Sequence, residues 1–365
     1  MIRYLAGVFL STTICAQQHL TVPSAHDAQD APACIGLAGS GSNLRQQVII
    51  GANHLLPLVG HTLSAIEFRR NLEEETFIGG TCNIAVTLAT SITTPQNAAH
   101  TFSANLGSNS VLVHSGSVTF PTSPGSTILP APINPAWTTN NTIRIPFSTT
   151  FTYNGGPLII DFIGTESAQG PGWWLMDAAS EDVEGTIRSL GTACSDFSPP
   201  PPNMPEQDTA FVSPRDLVGG GTINFLGQGV PYHLAVLVLG APSGSPIPLT
   251  QLGLTAAQGC SCQIDPTMIL ASLVTLFMPC ANPIIPSYIG VATADLKLPA
   301  ETWLLSMSLG SQWIELPTLK TSNGIELTIA NQLPTLDMAL IVGSPSETQG
   351  EVNLQVSPVI RFEYQ

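Results

Sequence analysis

The sequence predicts an all-β protein: two β-sandwich or jelly-roll-like domains joined by a proline-rich linker. Short segments alternate apolar and polar residues with period two, turn-forming residues bound nearly all of them, and a run of prolines interrupts the chain near its middle. Residues 82–90 show the period most clearly, with Ile84, Val86 and Leu88 on one face and Asn83, Ala85 and Thr87 on the other. In the first half, residues 62–70, 110–120, 142–147 and 157–163 are rich in β-branched or aromatic residues between Gly, Pro, Asn or Ser clusters. In the second half, residues 222–227, 231–239, 303–310, 324–330, 338–342 and 351–364 read as strands in the same way. No segment sustains apolar spacing at i, i+3, i+4 and i+7, so residues 71–76 and 214–218 allow a single helical turn each.

The organisation follows in chain order. Residues 1–16 read as a signal peptide: Arg3 precedes an apolar run over 4–16, with cleavage near Ala16 before Gln17-Gln18. Residues 17–196 form a first β-sandwich domain and residues 197–209, with Pro199 to Pro202 and Pro205, a semi-rigid linker. Residues 210–365 form a second β domain. The most apolar stretch beyond the signal, residues 267–278, is about half the ~20 residues a membrane-spanning helix needs and reads as a core segment.

Charge and cysteine usage narrow the class. Lys and Arg number 10 against 25 Asp and Glu, for a net charge of −15, so the clustered cations that neutralise nucleic-acid phosphates are missing. Of seven cysteines Cys15 lies in the signal, leaving Cys34, Cys82, Cys194, Cys260, Cys262 and Cys280. An even number in an exported chain points to disulfides, with 15 connectivities open. Zinc would need paired short spacings, and Cys260-Ser261-Cys262 is the one close pair, with no His beside it.

No catalytic signature is legible. G-x-S-x-G, H-E-x-x-H, a P-loop, a dinucleotide turn and an EF-hand loop are all missing, and Gly219-Gly220-Gly221 reads as a hairpin turn. The seven histidines are scattered singly, as surface or hydrogen-bonded structural residues are. A glycosidase needs only two carboxylates brought together from distant strands, which sequence does not reveal. The acidic residues over 177–184 read as a solvated loop, with a Ca²⁺ site as the alternative.

One aromatic pair suggests a binding chemistry. Trp173 and Trp174 follow a glycine turn, and neighbours on a strand face opposite ways, so one can pack inward while the other offers a flat apolar platform on which a sugar ring stacks. Trp137, Trp303 and Trp313 read as core.

Several short motifs match a known group. They are Thr21-Val22-Pro23, Arg45-Gln46-Gln47, Ile66-Glu67-Phe68-Arg69, residues 86–91, residues 101–105, Val113-His114-Ser115-Gly116 and residues 157–161. In the second half they are residues 191–194, Val238-Leu239-Gly240, Gly259-Cys260 and residues 322–329. In these the chain resembles secreted, uncharacterised β-rich proteins of planctomycete-type bacteria, which pair an N-terminal β-sandwich-like domain with a Cys-containing C-terminal β module. The resemblance implies export, β architecture and a Cys194–Cys260 bridge, and it brings no catalytic residues. The chain departs from the group at Cys262 and Cys280 and after Ala330. Proximity within each domain suggests Cys34–Cys82 and Cys262–Cys280 for the other bridges.

Few charges, many turns and disulfides therefore read as a secreted, non-enzymatic structural, surface or adhesion protein, without cofactor or metal, whose partners are cell-surface or matrix components or glycans. The alternative is an extracellular carbohydrate-binding protein using Trp173 or Trp174. An exported hydrolase with an unrecognised carboxylate pair is a third reading.

Overall fold

Period-two alternation becomes strand almost wherever the sequence carries it. The computed structural model describes residues 17–125, 137–166, 173–194, 210–255, 257, 259–279, 290–316 and 318–365; the expected signal peptide over 1–16 and the expected linker over 197–209 lie outside them. The strands are β1 (Gln18–Val22), β2 (Ala33–Gly36), β3 (Leu44–Ile50), β4 (Thr62–Arg69), β5 (Gly80–Thr90), β6 (Val111–Phe120), β7 (Thr142–Thr152), β8 (Leu158–Glu166), β9 (Leu175–Ser180), β10 (Thr186–Leu190) and β11 (Ala210–Phe211). They continue as β12 (Thr222–Gly229), β13 (Leu234–Pro248), β14 (Ser261–Leu276), β15 (Met278–Pro279), β16 (Gly290–Lys297), β17 (Ser308–Leu316), β18 (Lys320–Thr328), β19 (Met338–Gly343), β20 (Glu351–Asn353), β21 (Val356–Pro358) and β22 (Ile360–Tyr364). The helical pieces among the described residues are 3-10 turns of three to seven residues.

The first sandwich packs a four-stranded sheet, β1-β22-β4-β7, on a six-stranded one, β20-β19-β3-β8-β5-β6. Ile66, Phe68, Ile145 and Phe362 from one sheet meet Val48, Ile84, Val86, Leu88 and Phe162 from the other. Across this core the Phe68 and Phe162 rings meet edge to face at 5.5 Å. The outer face of the six-stranded sheet is also buried: Ile49, Ala89, Ile159 and Ile341 pack under the loop that carries Ala98 and Phe102. Burial on both faces explains why β8 opens with an unbroken apolar run, Leu158-Ile159-Ile160, instead of alternating. A three-stranded sheet, β2-β9-β21, flanks this body.

The second sandwich packs β10-β18-β17-β13-β14 on β11-β12-β16-β15. Its core joins Leu237, Leu239, Trp313 and Leu327 to Ile223, Phe225, Ala292 and Phe277.

The domain limits differ from the sequence reading. Strand β10, inside the expected 17–196 domain, pairs with β18 of the second body. Strands β19 to β22, inside the expected 210–365 domain, return to the first body: β19 pairs with β3, and β22 lies between β1 and β4. The second sandwich is thus inserted between β9 and β19 of the first. Loop-closure entropy grows only with the logarithm of loop length, so a strand can pair with one some 300 residues away without any local signature of the pairing.

The two bodies are in contact. Lys297 Nζ, at the end of β16, donates to Ala98 O at 3.2 Å in the first body and to Gly220 O at 2.6 Å in the second. Gly220 turns with φ +83°, and a Cβ there would lie 2.5 Å from Gln96 O, so the close approach of the bodies requires glycine at this position. The triple glycine is therefore a turn feeding β12 at this contact, closed by Gly221 N donating to Val218 O.

Two burial expectations are overturned. Trp303 is exposed, because it sits in a 3-10 turn outside any sheet where Leu304 takes the inward position, whereas Trp313 is buried on β17 as expected. Residues 267–278 do not form core: they run along β14, the last strand of its sheet, into β15, and of them Phe277 alone is buried.

Candidate functional site

The alternation of Trp173 and Trp174 is carried by the extended chain entering β9. Trp174 is wholly buried, with Phe77 at 5.3 Å and Phe120 at 5.8 Å, both edge to face. Its backbone locks the loop after β2: Leu37 N donates to Trp174 O at 3.1 Å, and Trp174 N donates to Ser40 Oγ at 3.2 Å. Trp173 points the other way and is 51% exposed.

What lies beneath Trp173 is glycine. A Cβ built on Gly41 would stand 2.8–2.9 Å from Cγ, Cδ2 and Cε2 of the indole, against the face of its five-membered ring. One on Gly36 would stand 2.4–2.5 Å from Cε3 and Cζ3 of the six-membered ring. Gly41 has φ +77°, a backbone conformation that suits glycine, so conformation and clearance demand the same residue there. The indole rests on bare backbone, and its exposed part is a rigid apolar surface. Beside it Gln46 Nε2 donates to Gly36 O at 2.8 Å and Gln46 Oε1 accepts from Ala38 N at 2.9 Å, which fixes the loop that forms this floor. The chemistry such a platform supports is stacking of a sugar's C–H face or another flat ligand. Of the two candidate tryptophans, Trp173 is accessible and Trp174 is its structural support.

A second site was invisible in the sequence. A cavity of about 1100 Å³ opens between the two bodies, and Asp216, Asp295, Glu347 and Glu351 share its wall with His100 and Asn224. Asp295 lies on β16, Glu351 on β20 and Asp216 at the end of the 3-10 turn Pro214–Asp216, so no spacing rule links them. Burial pushes the Asp216 carboxyl above its ordinary range against a hydrogen bond from Asn224 N, with Glu351 and Asp295 adding repulsion. His100 joins the bodies: Nδ1 lies 2.9 Å from Gly350 O and Nε2 2.7 Å from Thr222 Oγ1. In the tautomer that carries its proton on Nδ1, that nitrogen donates to the Gly350 carbonyl and Nε2 accepts from the Thr222 hydroxyl. This histidine is a hydrogen-bonded structural residue.

The acidic stretch over 177–184 is not a solvated loop. Asp177 is wholly buried, where its Oδ2 accepts from Arg69 Nε at 3.1 Å and its Oδ1 from Ala31 N at 3.0 Å. Glu181 accepts from Thr335 N at 2.8 Å, which leaves Asp182 and Glu184 facing solvent. Among the described residues no group of three or more His, Cys, Asp or Glu side chains is placed to hold a metal ion.

Of the expected bridges, Cys194–Cys260 is present, with its Cα atoms 5.1 Å apart. Cys34 and Cys82 are not joined. Cys34 sits on the exposed face of β2, whereas Cys82 points from β5 into the core, and burial pushes its thiol up to about 12. Cys262 is buried, with its thiol 3.1 Å from Ile264 O, and Cys280 lies outside the described residues.

No helix among the described residues is long and apolar enough to cross a membrane. Compared with known proteins, the chain matches no protein-family model and no curated sequence.

Proposed function

We propose that the protein is an exported, non-catalytic surface or matrix component that binds carbohydrate through the indole of Trp173. The observation that carries this reading is the half-exposed Trp173 ring held on the Gly36 and Gly41 backbone, while its neighbour Trp174 is fixed in the core. Export is supported by Arg3 and the apolar run behind it and by the Cys194–Cys260 disulfide, a bond that persists in oxidising compartments. A glycan array and pull-down on insoluble polysaccharides test the binding. Trp173→Ala abolishes capture and leaves the fold intact by circular dichroism; wild-type protein that captures no glycan overturns the reading.

A hydrolytic reading has one observation in its favour, the open interbody cavity in which Asp216 is held toward its protonated form beside Glu351 and Asp295. Glycosidases work with two carboxyls on either side of the scissile bond, one of them shifted toward its protonated form. Release of reducing sugar by wild-type protein, lost in Asp216→Asn but retained in Trp173→Ala, would favour this reading over simple binding.

A further inference from the structure

Among the described residues, strand β14 is a long apolar segment that the fold leaves largely exposed. It ends the sheet β10-β18-β17-β13-β14, and from Ile269 to Leu276 its pairing among the described residues is to β13 alone. Met268, Ile269, Leu270, Leu273, Val274 and Leu276 are between 37% and 75% exposed. Edge strands are ordinarily protected by charge, proline or a covering loop. Here Asp265 and Pro266 stand at one end, and no charged residue follows until Asp295.

We propose that β14 is the interface of a two-fold symmetric dimer, in which it pairs antiparallel with β14 of a second copy of this chain. The sequence is self-complementary about Ala271. Turned on a two-fold axis through that residue, the sequence sets Thr267 against Thr275, Met268 against Val274, Ile269 against Leu273 and Leu270 against Ser272, while the ladder of β14 to β13 is irregular at Leu270 and before Ile269. The apolar positions meet apolar positions or a small serine, hydroxyls meet hydroxyls at the ends, and the smallest side chain of the segment lies at the axis where the backbones approach most closely.

Charge selects the same surface. Each copy carries −15 overall, so most modes of approach set carboxylates against carboxylates, whereas the neutral β14 edge does not. Pairing would also satisfy the row of backbone N–H and C=O groups on the outer edge.

The test is the mass of the purified full chain by light scattering and sedimentation at micromolar concentration. Twice the monomer mass is expected, returning to monomer in Leu270→Lys and Val274→Lys, with circular dichroism unchanged. Trp303→Lys, an exposed apolar position elsewhere, remains dimeric. In a Cys34→Ser background, Ala271→Cys oxidises to a covalent dimer, whereas Thr267→Cys, which the register sets opposite Thr275, does not. A wild-type monomer at tens of micromolar, a dimer indifferent to both lysines, or an open ladder of fibrils overturns the proposal. So does a monomer that floats with neutral phosphatidylcholine vesicles through the same residues, which would assign the strand to a lipid surface.

Discussion

Arg69 and Asp177 form an ion pair with both side chains wholly shielded from solvent, joining β4 of one sheet to β9 of another. The guanidinium also donates to Asp27 O at 3.1 Å, His26 O at 3.0 Å and Gln29 O at 2.7 Å, and so pins the loop between β1 and β2 over the edge of the sandwich. A buried charge is tolerable because its partner and carbonyls replace the lost water, and removing one partner strands the other. Asp177→Ala is expected to cost about 3–5 kcal/mol and, for a body of this size, to lower the melting temperature by roughly 10 °C. Replacing both members, Arg69→Met with Asp177→Leu, recovers only the part of the loss due to the stranded charge, because the Asp27, His26 and Gln29 carbonyls and the Ala31 N–H lose their partners. A double variant no more stable than Asp177→Ala would contradict this account.

Asp30 lies in the pinned loop, and burial raises its pKa from the ordinary 3.8 to about 6, with repulsion from Asp177 adding to the effect. The native state therefore holds a proton there that the unfolded chain releases, and stability falls as pH rises through that window. Asp30→Asn should raise the urea midpoint at pH 7 and leave it unchanged near pH 4. The gap between variant and wild type closes as pH is lowered from about 6 to about 4. A gap that is constant across this range would show that Asp30 is not perturbed.

Gly36 separates platform geometry from folding. Gly36→Ala forces the Trp173 ring off its floor, since the added carbon falls 2.4 Å from ring carbon Cε3. Ring displacement should shift the indole emission and weaken glycan capture at least tenfold while the Trp174 side stays packed. Unchanged emission together with unchanged capture would place the binding surface elsewhere.

The cysteines give a chemical readout. The Cys194–Cys260 bridge spans 66 residues and is expected to contribute about 4 kcal/mol in the chain-entropy description. Replacing both with serine lowers the unfolding midpoint of the second sandwich before that of the first. With Cys34 exposed and Cys82 and Cys262 buried, alkylation of the native protein should modify Cys34 and leave the other two until denaturant is added. Peptide mapping that joins Cys34 to Cys82 would refute the arrangement.

The residues themselves determined the strands, because alternation reports directly whether successive side chains meet a core. Ile84, Val86 and Leu88 are buried while Asn83 is exposed, as their order requires. The split between Trp173 and Trp174 was legible for the same reason, though which of them faces outward depended on Gly36 and Gly41, more than 130 residues earlier in the chain. Tertiary structure alone decided which strands pair. Only it returned β19 to β22 to the first sandwich, gathered Asp216, Asp295 and Glu351 around one cavity, buried Asp177 on Arg69, and left the apolar β14 at an edge. Periodicity is a local property of the chain, whereas burial is a property of what packs against it, and partners brought together across hundreds of residues leave no mark on either sequence neighbourhood.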